Sequence, residues 1–241
     1  MVKITEHESD FKIHAPKMLC DEVLSDEIPA MLPNKNFVMY IAGAMGSGKS
    51  SSVVSLLTGK GANKAYRKVF ENIYFVIPPN SRASLAGSLF MKHPEDKMYD
   101  ELNSQTLNDI HSKLMKESAE GYNSLVVLDD VAYALKKKEN SEGLEKIVKN
   151  HRHLRCSLMI IGQTFNSLPL SIRKVISHLL LCGAPRNKKE YLSMFHEMLD
   201  IPKHEADEIM QYVFKNKHDQ LFLDKWNGAL YRNFNKLNIQ E

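Results

Sequence analysis

Several things are scarce in this sequence, and each scarcity excludes a class of protein. There are three cysteines, Cys20, Cys156 and Cys182, odd in number and widely scattered. No two have the spacing of a metal knuckle or a disulfide framework, so they read as reduced thiols of an intracellular protein. No apolar run approaches the roughly 20 residues that a membrane helix requires. The first residues, Met1 to Glu8, are polar and lack the apolar centre of a signal peptide. Neither sign of charge prevails. With 32 basic and 29 acidic residues the net charge is +3, too mild to imply nucleic-acid binding by itself. There is one tryptophan, Trp226, on a turn, where packing explains it better than base stacking. No internal repeat and no low-complexity segment is present. What remains is ordinary: 43% hydrophobic and 25% charged residues in 241 positions, enough for one large α/β domain with or without a small appendage.

One stretch is not ordinary. Gly43-Ala44-Met45-Gly46-Ser47-Gly48-Lys49-Ser50 fits the phosphate-cradling template G-x-x-x-x-G-K-[ST] at every fixed position. Phe37 to Ala42 before it is the unbroken apolar run of a buried parallel strand. After it, Val53, Val54, Leu56 and Leu57 begin a helix. Strand, glycine turn and helix turn backbone N–H groups inward around an anion, and the helix N-terminus adds positive potential. Residues Gly43 to Ser51 are the expected nucleotide contacts. Lys49 would reach the β- and γ-phosphates, and Ser50 would ligate Mg²⁺.

Further along, Leu125-Val126-Val127-Leu128 is an apolar strand ending in Asp129-Asp130. Ligands of open parallel sheets bind beyond the carboxyl ends of strands, and an apolar strand ending in an acid is the Walker B pattern. A helix-capping role would account for Asp130 alone and leave Asp129 without a purpose. Ser157 to Gly162 is another strand and ends in Gln163-Thr164, which places an amide like the two acids. His151-Arg152-His153-Leu154-Arg155 is a compact basic segment just before that strand.

The rest sets the frame. Residues 1–35, with a short strand at Phe11 to His14, read either as an arm lying against the core or a neighbouring subunit or as a loosely ordered tail, and residues 36–241 as the main domain. Asn72 to Ile77 and His178 to Gly183 are strands. Helices are expected at Leu107 to Glu120, Gly143 to Asn150, Ser167 to Val175, Lys189 to Leu199 and from Pro202 to about Lys215. Ser81 to Gln105 shows too weak a period to assign. Gln220 to Asp224 and Ala229 to Arg232 pair about an Asn227-Gly228 turn, so residues 200–241 form a helix-plus-hairpin appendage. The basic residues Lys60, Lys64, Arg67 and Lys68 either touch a nucleic-acid backbone or form a solvated face.

The motifs G-A-M-G-S-G-K-S, L-V-V-L-D-D, H-R-H-L-R-C-S-L-M-I-I-G-Q-T and S-L-P-L-S-I-R-K, in this order and spacing, resemble the FtsK–HerA superfamily of DNA-pumping ATPases. Within it the chain looks most like the genome-packaging ATPases of poxvirus-like large DNA viruses and their virophage and polinton-like relatives. The resemblance spans about Asn36 to Gly183.

It implies a P-loop NTPase of the RecA-like kind, with a central, mostly parallel sheet flanked by helices and an extra strand between the phosphate-loop strand and the Walker B strand. It implies ATP and Mg²⁺, with Ser50 and Asp129 at the metal. It puts the acid that polarises the attacking water at Asp130. That acid is usually glutamate, one methylene longer, so here either a water bridges the gap or the backbone sits closer. Gln163 matches the glutamine that senses the γ-phosphate. Arg152 matches an arginine that reaches a neighbouring subunit's nucleotide, with Arg155 and Arg173 as rivals. His151 and His153 are structural or solvent-facing. The partners implied are double-stranded DNA, further copies in a ring of six or five, and a capsid or portal-like vertex protein. The place implied is the host cytoplasm or viral factory, with a transient stay at the virion. The alternatives are a helicase- or conjugation-type pump of the same superfamily and a P-loop nucleotide kinase.

Overall fold

A computed structural model of the chain describes residues 22–84, 93–185 and 187–239. The expected strand at Phe11 to His14, and Cys20, lie outside these residues.

Among the described residues, nine strands form one sheet. In chain order they are β1 (Val38–Ala42), β2 (Asn72–Val76), β3 (Met98–Tyr99), β4 (Ser124–Asp129), β5 (Cys156–Gly162), β6 (His178–Cys182), β7 (Gln220–Asp224), β8 (Ala229–Arg232) and β9 (Asn235–Lys236). In space the order is β3-β2-β4-β5-β1-β6-β7-β8-β9. The first six are parallel, and β7, β8 and β9 are antiparallel. Strand β5 therefore separates the phosphate-loop strand β1 from β4, as the resemblance implied.

Every residue of β1, β4, β5 and β6 is buried, because both faces of the sheet are covered. The alternation of side chains along β1 divides the core. Val38, Tyr40 and Ala42 face one layer, with α3 (Ser104–Ala119), α4 (Lys138–Asn150), α5 (Leu170–Arg173), α6 (Lys188–Leu199) and α7 (Lys203–Val213). Met39 and Ile41 face the other, with α1 (Lys49–Thr58). Val53, Leu56 and Leu57 are the buried stripe of α1. Each contributes roughly 1.5–3 kcal/mol by leaving water.

The structure departs from the sequence expectations in a few places, each with a physical cause. Helix α4 starts at Lys138, five residues before the first turn expected. The buried residue of that early turn is Asn140, whose amide donates to Ala134 O at 2.9 Å, so no apolar period marks it. Gly143 lies inside the helix because a Cβ there would come within 3.0 Å of Leu107 Cδ1, where α3 crosses. Within the unassigned stretch, α2 (Pro79–Ser84) and the two-residue strand β3 appear. Asn103 caps α3, its Oδ1 accepting from Thr106 N at 2.9 Å. The segment Ser167 to Val175 is less helical than expected, a single turn at Leu170–Arg173.

The C-terminal hairpin continues the sheet, since β7 pairs with β6 along Cys182↔Gln220 to His178↔Asp224. Its loop spans Lys225 to Gly228 rather than a two-residue turn. Asp224 Oδ1 closes it by accepting from Trp226 N at 3.0 Å and Asn227 N at 3.1 Å. Trp226 packs edge-on against His178, with ring centroids 4.7 Å apart.

Candidate nucleotide-binding site

Strand β1 delivers the chain to the carboxyl edge of the sheet, and the loop Gly43 to Gly48 turns it into α1. Gly46 (φ 74°) and Gly48 (φ 97°) take left-handed backbone, which costs other residues strain. Gly43 is needed for a different reason. A Cβ there would lie 2.4 Å from Cys182 O, at the end of the neighbouring strand β6. Gly48 is the N-cap of α1 and offers no capping side chain, and the first turn holds no acid. The first amides of α1 are thus left for an anion. Lys49 Nζ is folded back onto the loop, donating to Gly43 O at 2.8 Å and Ala44 O at 2.9 Å. Its charge already sits over the concavity.

The register of the sheet brings the other residues to the same level. Ala42 pairs with Gly162, and Asp129 pairs with Ile161. The ends of β1, β4 and β5 therefore form one row. A cavity of about 270 Å³ opens there, lined by Met45, Gly46, Lys49, Ser50, Ser81, Asp129, Asp130, Gly162 and Gln163. Five of the residues expected from the sequence to act on the phosphates thus share one cavity: Lys49, Ser50, Asp129, Asp130 and Gln163.

Their environments differ. Asp129 is 7% exposed. Burial, and then the charge of Asp130, push its carboxyl above the usual range, and Lys49 opposes the shift. Asp130 leaves the strand. Its φ is 52°, its N–H donates to Ile161 O at 3.3 Å, and its side chain is exposed. Aspartate tolerates this left-handed turn better than most residues. The reversal swings the shorter acid out of the sheet into the mouths of three adjoining cavities.

Arg152 is not among these residues. It lies in the turn between α4 and β5, at the amino edge of the sheet, exposed. The length of β5 separates it from the cavity of its own subunit, roughly 20 Å. Each of its rivals, Arg155 and Arg173, makes an ion pair. Arg155 pairs with Glu22 at 3.1 Å. Arg173 pairs with Glu197 at 2.7 Å and stacks over Phe165 at 5.3 Å. His151 is buried, with Nδ1 2.8 Å from Val148 O, and His153 is exposed.

Three contributors escaped the sequence reading. Ser81 reaches the cavity from α2. Tyr40, fully buried under β5, donates its hydroxyl to Thr164 O at 2.7 Å. Glu190 Oε1, also buried, accepts from Phe165 N at 2.8 Å. The last two pin the backbone that follows Gln163. Of the three, only Ser81 lies near a local sequence signal, the proline pair Pro78-Pro79, and proline is common in a first helical turn.

The poxvirus A32 protein family matches residues 29–218. The chain belongs to that family. A search of curated proteins gives no significant match. Among solved structures, the genome-packaging NTPase B204 of Sulfolobus turreted icosahedral virus 2, in complex with AMPPCP, is similar at TM-score 0.55 and 12% identity, over 85% of this chain and 98% of that one. The same enzyme with ATPγS is similar at TM-score 0.55 and 13% identity, over the same shares. The cytoplasmic domain of the type VII secretion ATPase EccC of Thermomonospora curvata matches at TM-score 0.54 and 12% identity, over 85% of this chain and 24% of that one. At these identities the likeness is one of fold, and the fold is that of the P-loop NTPases. Among the described residues no helix is long and apolar enough to cross a membrane.

Proposed function

We propose that this member of the poxvirus A32 family is an ATP-hydrolysing motor that moves double-stranded DNA into a viral capsid. The observation that carries the reading is the single cavity in which Lys49, Ser50, Asp129, Asp130 and Gln163 meet beside the phosphate loop. The similar viral NTPase, a genome-packaging enzyme solved in complex with AMPPCP and with ATPγS, supports it.

The residues suit phosphoryl transfer to water, which needs positioning and charge neutralisation more than covalent help. Lys49 exchanges its two carbonyl partners for phosphate oxygens. A divalent cation fits the donor set. Asp129 is a buried carboxylate whose charge Lys49 and the Asp130 backbone N–H offset only in part, and Ser50 adds a hydroxyl in the same cavity. Bound there by Ser50 and Asp129, Mg²⁺ would neutralise charge on the phosphate oxygens. Asp130, exposed at the cavity mouth, accepts the proton of the attacking water. Gln163 orients that water and reads the γ-phosphate. Arg152 is too far to serve its own site and acts on the nucleotide of the next subunit in a ring, where such an arginine adds about 10³–10⁵ in rate.

The DNA-facing element is the segment from Val131 to the start of α4. It exposes Tyr133 (79% exposed) together with Lys136, Lys137 and Lys138. Repeated around a ring, three lysines per subunit suffice to follow a duplex that carries a charge every ~1.7 Å along its axis. The place of action in this reading is the viral factory, at the vertex of a filling capsid.

The test is ATP hydrolysis measured with and without linear duplex. Hydrolysis stimulated by duplex and lost in Lys49→Ala supports the motor. Hydrolysis indifferent to DNA, by a protein that stays monomeric with ATP analogue and duplex, overturns it.

A further inference from the structure

A second cavity, of about 290 Å³, opens on the other side of the phosphate loop. Ser47 and Gly48 border it, whereas Gly46 and Lys49 border the first. Its walls include Ser51, Ser55 and Leu56 of α1, His218 just before β7, Gln220 at the start of β7, and Phe234 in the turn between β8 and β9. We infer that this cavity takes the purine nucleoside half of the nucleotide, with the Phe234 ring as the stacking platform for the base. The inference rests on the proposed nucleotide site and extends it to a part of the chain that the phosphate-binding motifs do not include.

The placement follows from the direction of the triphosphate. With the γ end among Asp129, Asp130 and Gln163, the α end lies over the amides at Ser50 and Ser51. The sugar and base must then leave the loop on the side away from Asp129. The second cavity lies there. It has room for a bicyclic base with its ribose, and its lining mixes an aromatic ring and a leucine with hydroxyl, amide and imidazole groups.

The hairpin is built to hold that wall. Because β7 runs antiparallel to β6, its first residue Gln220 stands beside Cys182 at the carboxyl edge. Gln220 Nε2 donates to Ser52 Oγ at 2.8 Å, and Ser52 Oγ donates to Gly48 O at 3.0 Å, so a hydrogen-bond chain joins hairpin to phosphate loop. Asn233 (φ 49°) and Phe234 (φ 65°) are consecutive left-handed residues, neither of them glycine. Such strain persists only where the surroundings impose it. Here Asn233 Oδ1 accepts from Gln220 N at 2.7 Å, and Asn233 Nδ2 donates to Asp219 Oδ1 at 2.9 Å. The effect is to turn Phe234, half-buried against Phe222 with ring centroids 5.7 Å apart, toward α1.

The experiment compares binding of ATPγS and of inorganic tripolyphosphate, both with Mg²⁺, by calorimetry on the full chain. The variants are Phe234→Ala, Ser55→Trp and Lys49→Ala. Ser55 is exposed on α1, so the indole would fill the cavity while sparing the core. Both Phe234→Ala and Ser55→Trp are expected to weaken ATPγS on the order of tenfold, as loss of base stacking does, and to leave tripolyphosphate unchanged. A preference for purine over pyrimidine triphosphates in the wild type should shrink in Phe234→Ala. Unweakened ATPγS in both variants, or equal losses for the two ligands, overturns the base assignment and spares the phosphate site. A wild type that binds neither ligand, or Lys49→Ala binding both as tightly, overturns the phosphate site and this inference with it.

Discussion

A methyl group on Gly162 would lie 2.1 Å from the phenolic oxygen of Tyr40. Those two residues sit one above the other where β5 ends, directly before Gln163. Tyr40 also holds Thr164 O at 2.7 Å, so one tyrosine fixes the backbone on both sides of the glutamine. Gly162→Ala should therefore act twice. Overpacking against a fully buried ring should cost about 1–3 kcal/mol of stability. Displacing Gln163 should slow hydrolysis on the order of 10- to 100-fold. Tyr40→Phe is milder, roughly 1 kcal/mol, because Ser167 Oγ still donates to Thr164 O at 2.6 Å. Denaturant unfolding of the double variant checks the relationship. Removing the hydroxyl should recover part of the glycine variant's loss, and strictly additive losses would refute it.

Asp129 offers a trade between stability and activity. Its carboxyl titrates above the ordinary value of 3.8, chiefly through burial and secondarily through Asp130. An acid whose folded-state pKa is raised binds more protons folded than unfolded. Its contribution to stability therefore falls as pH rises from 3.8 through the raised value, and the penalty is fully present at neutral pH. Asp129→Asn should raise the unfolding temperature of the nucleotide-free protein at pH 7 and abolish Mg²⁺-dependent hydrolysis. Near pH 3 the two proteins should unfold at similar temperatures. An asparagine variant less stable than wild type at pH 7 would mean that Asp129 is held by partners, not merely desolvated.

How far this could be read in advance depended on whether chemistry or packing set the residue. That the glycine loop, Asp129-Asp130 and Gln163 would meet was legible because each stands directly after a buried strand and so falls at the same edge of the sheet. The buried strands were legible because both faces of the sheet are covered, which leaves runs such as Leu125 to Leu128. The Asn227-Gly228 pair announced the hairpin but not its four-residue loop, which Asp224 closes from within the strand. Contacts that depend on neighbours remote in sequence left no trace. Gln220 meets Ser52 across 168 positions, and Tyr40 meets Thr164 across 124. The polar first turns of α4 hid for a related reason, since Asn140 takes a core position through hydrogen bonds to Ala134 O and Leu102 O.

The position of Arg152 makes a prediction about pairs of subunits. It stands at the amino edge of β5, at the opposite end of the strands from Lys49, so the proposed motor would use it on another copy's nucleotide. Arg152→Ala should lower DNA-stimulated hydrolysis by about 10³-fold or more while sparing ATPγS binding to the isolated subunit. Mixing Arg152→Ala with Lys49→Ala subunits should restore part of the activity, because some sites then combine an intact Lys49 with an intact Arg152 from the neighbour. No recovery in mixed rings of confirmed composition would move the role to Arg155 or Arg173, although both are already paired within the chain, with Glu22 and Glu197.

Asp219 ties the hairpin corner together and should couple acid stability to nucleotide affinity. Its carboxylate accepts from the Asn233 amide at 2.9 Å, from Asn216 N at 2.8 Å, from Arg232 at 3.1 Å and from Lys215 N at 3.0 Å. These donors, the Asn233 amide foremost, hold its titration well below the ordinary 3.8. An acid with a depressed folded-state pKa binds fewer protons folded than unfolded. The stability it provides is therefore present above 3.8 and is lost as pH falls toward the depressed value. Asp219→Asn keeps the shape but replaces an acceptor of five donors, the Asn216 side-chain amide at 3.3 Å included, by a group that must donate as well. At pH 7 it should lower the unfolding temperature, and the gap from wild type should close in strong acid. The same variant should weaken ATPγS several-fold, because Asn233 and Phe234 lose the anchor that keeps them in left-handed backbone. It should largely spare tripolyphosphate binding, since β1 and α1 carry the loop Gly43 to Ser50, Gly43 N donates to Gly162 O at 3.3 Å, and the hairpin reaches the loop only through the Gln220 and Ser52 side chains.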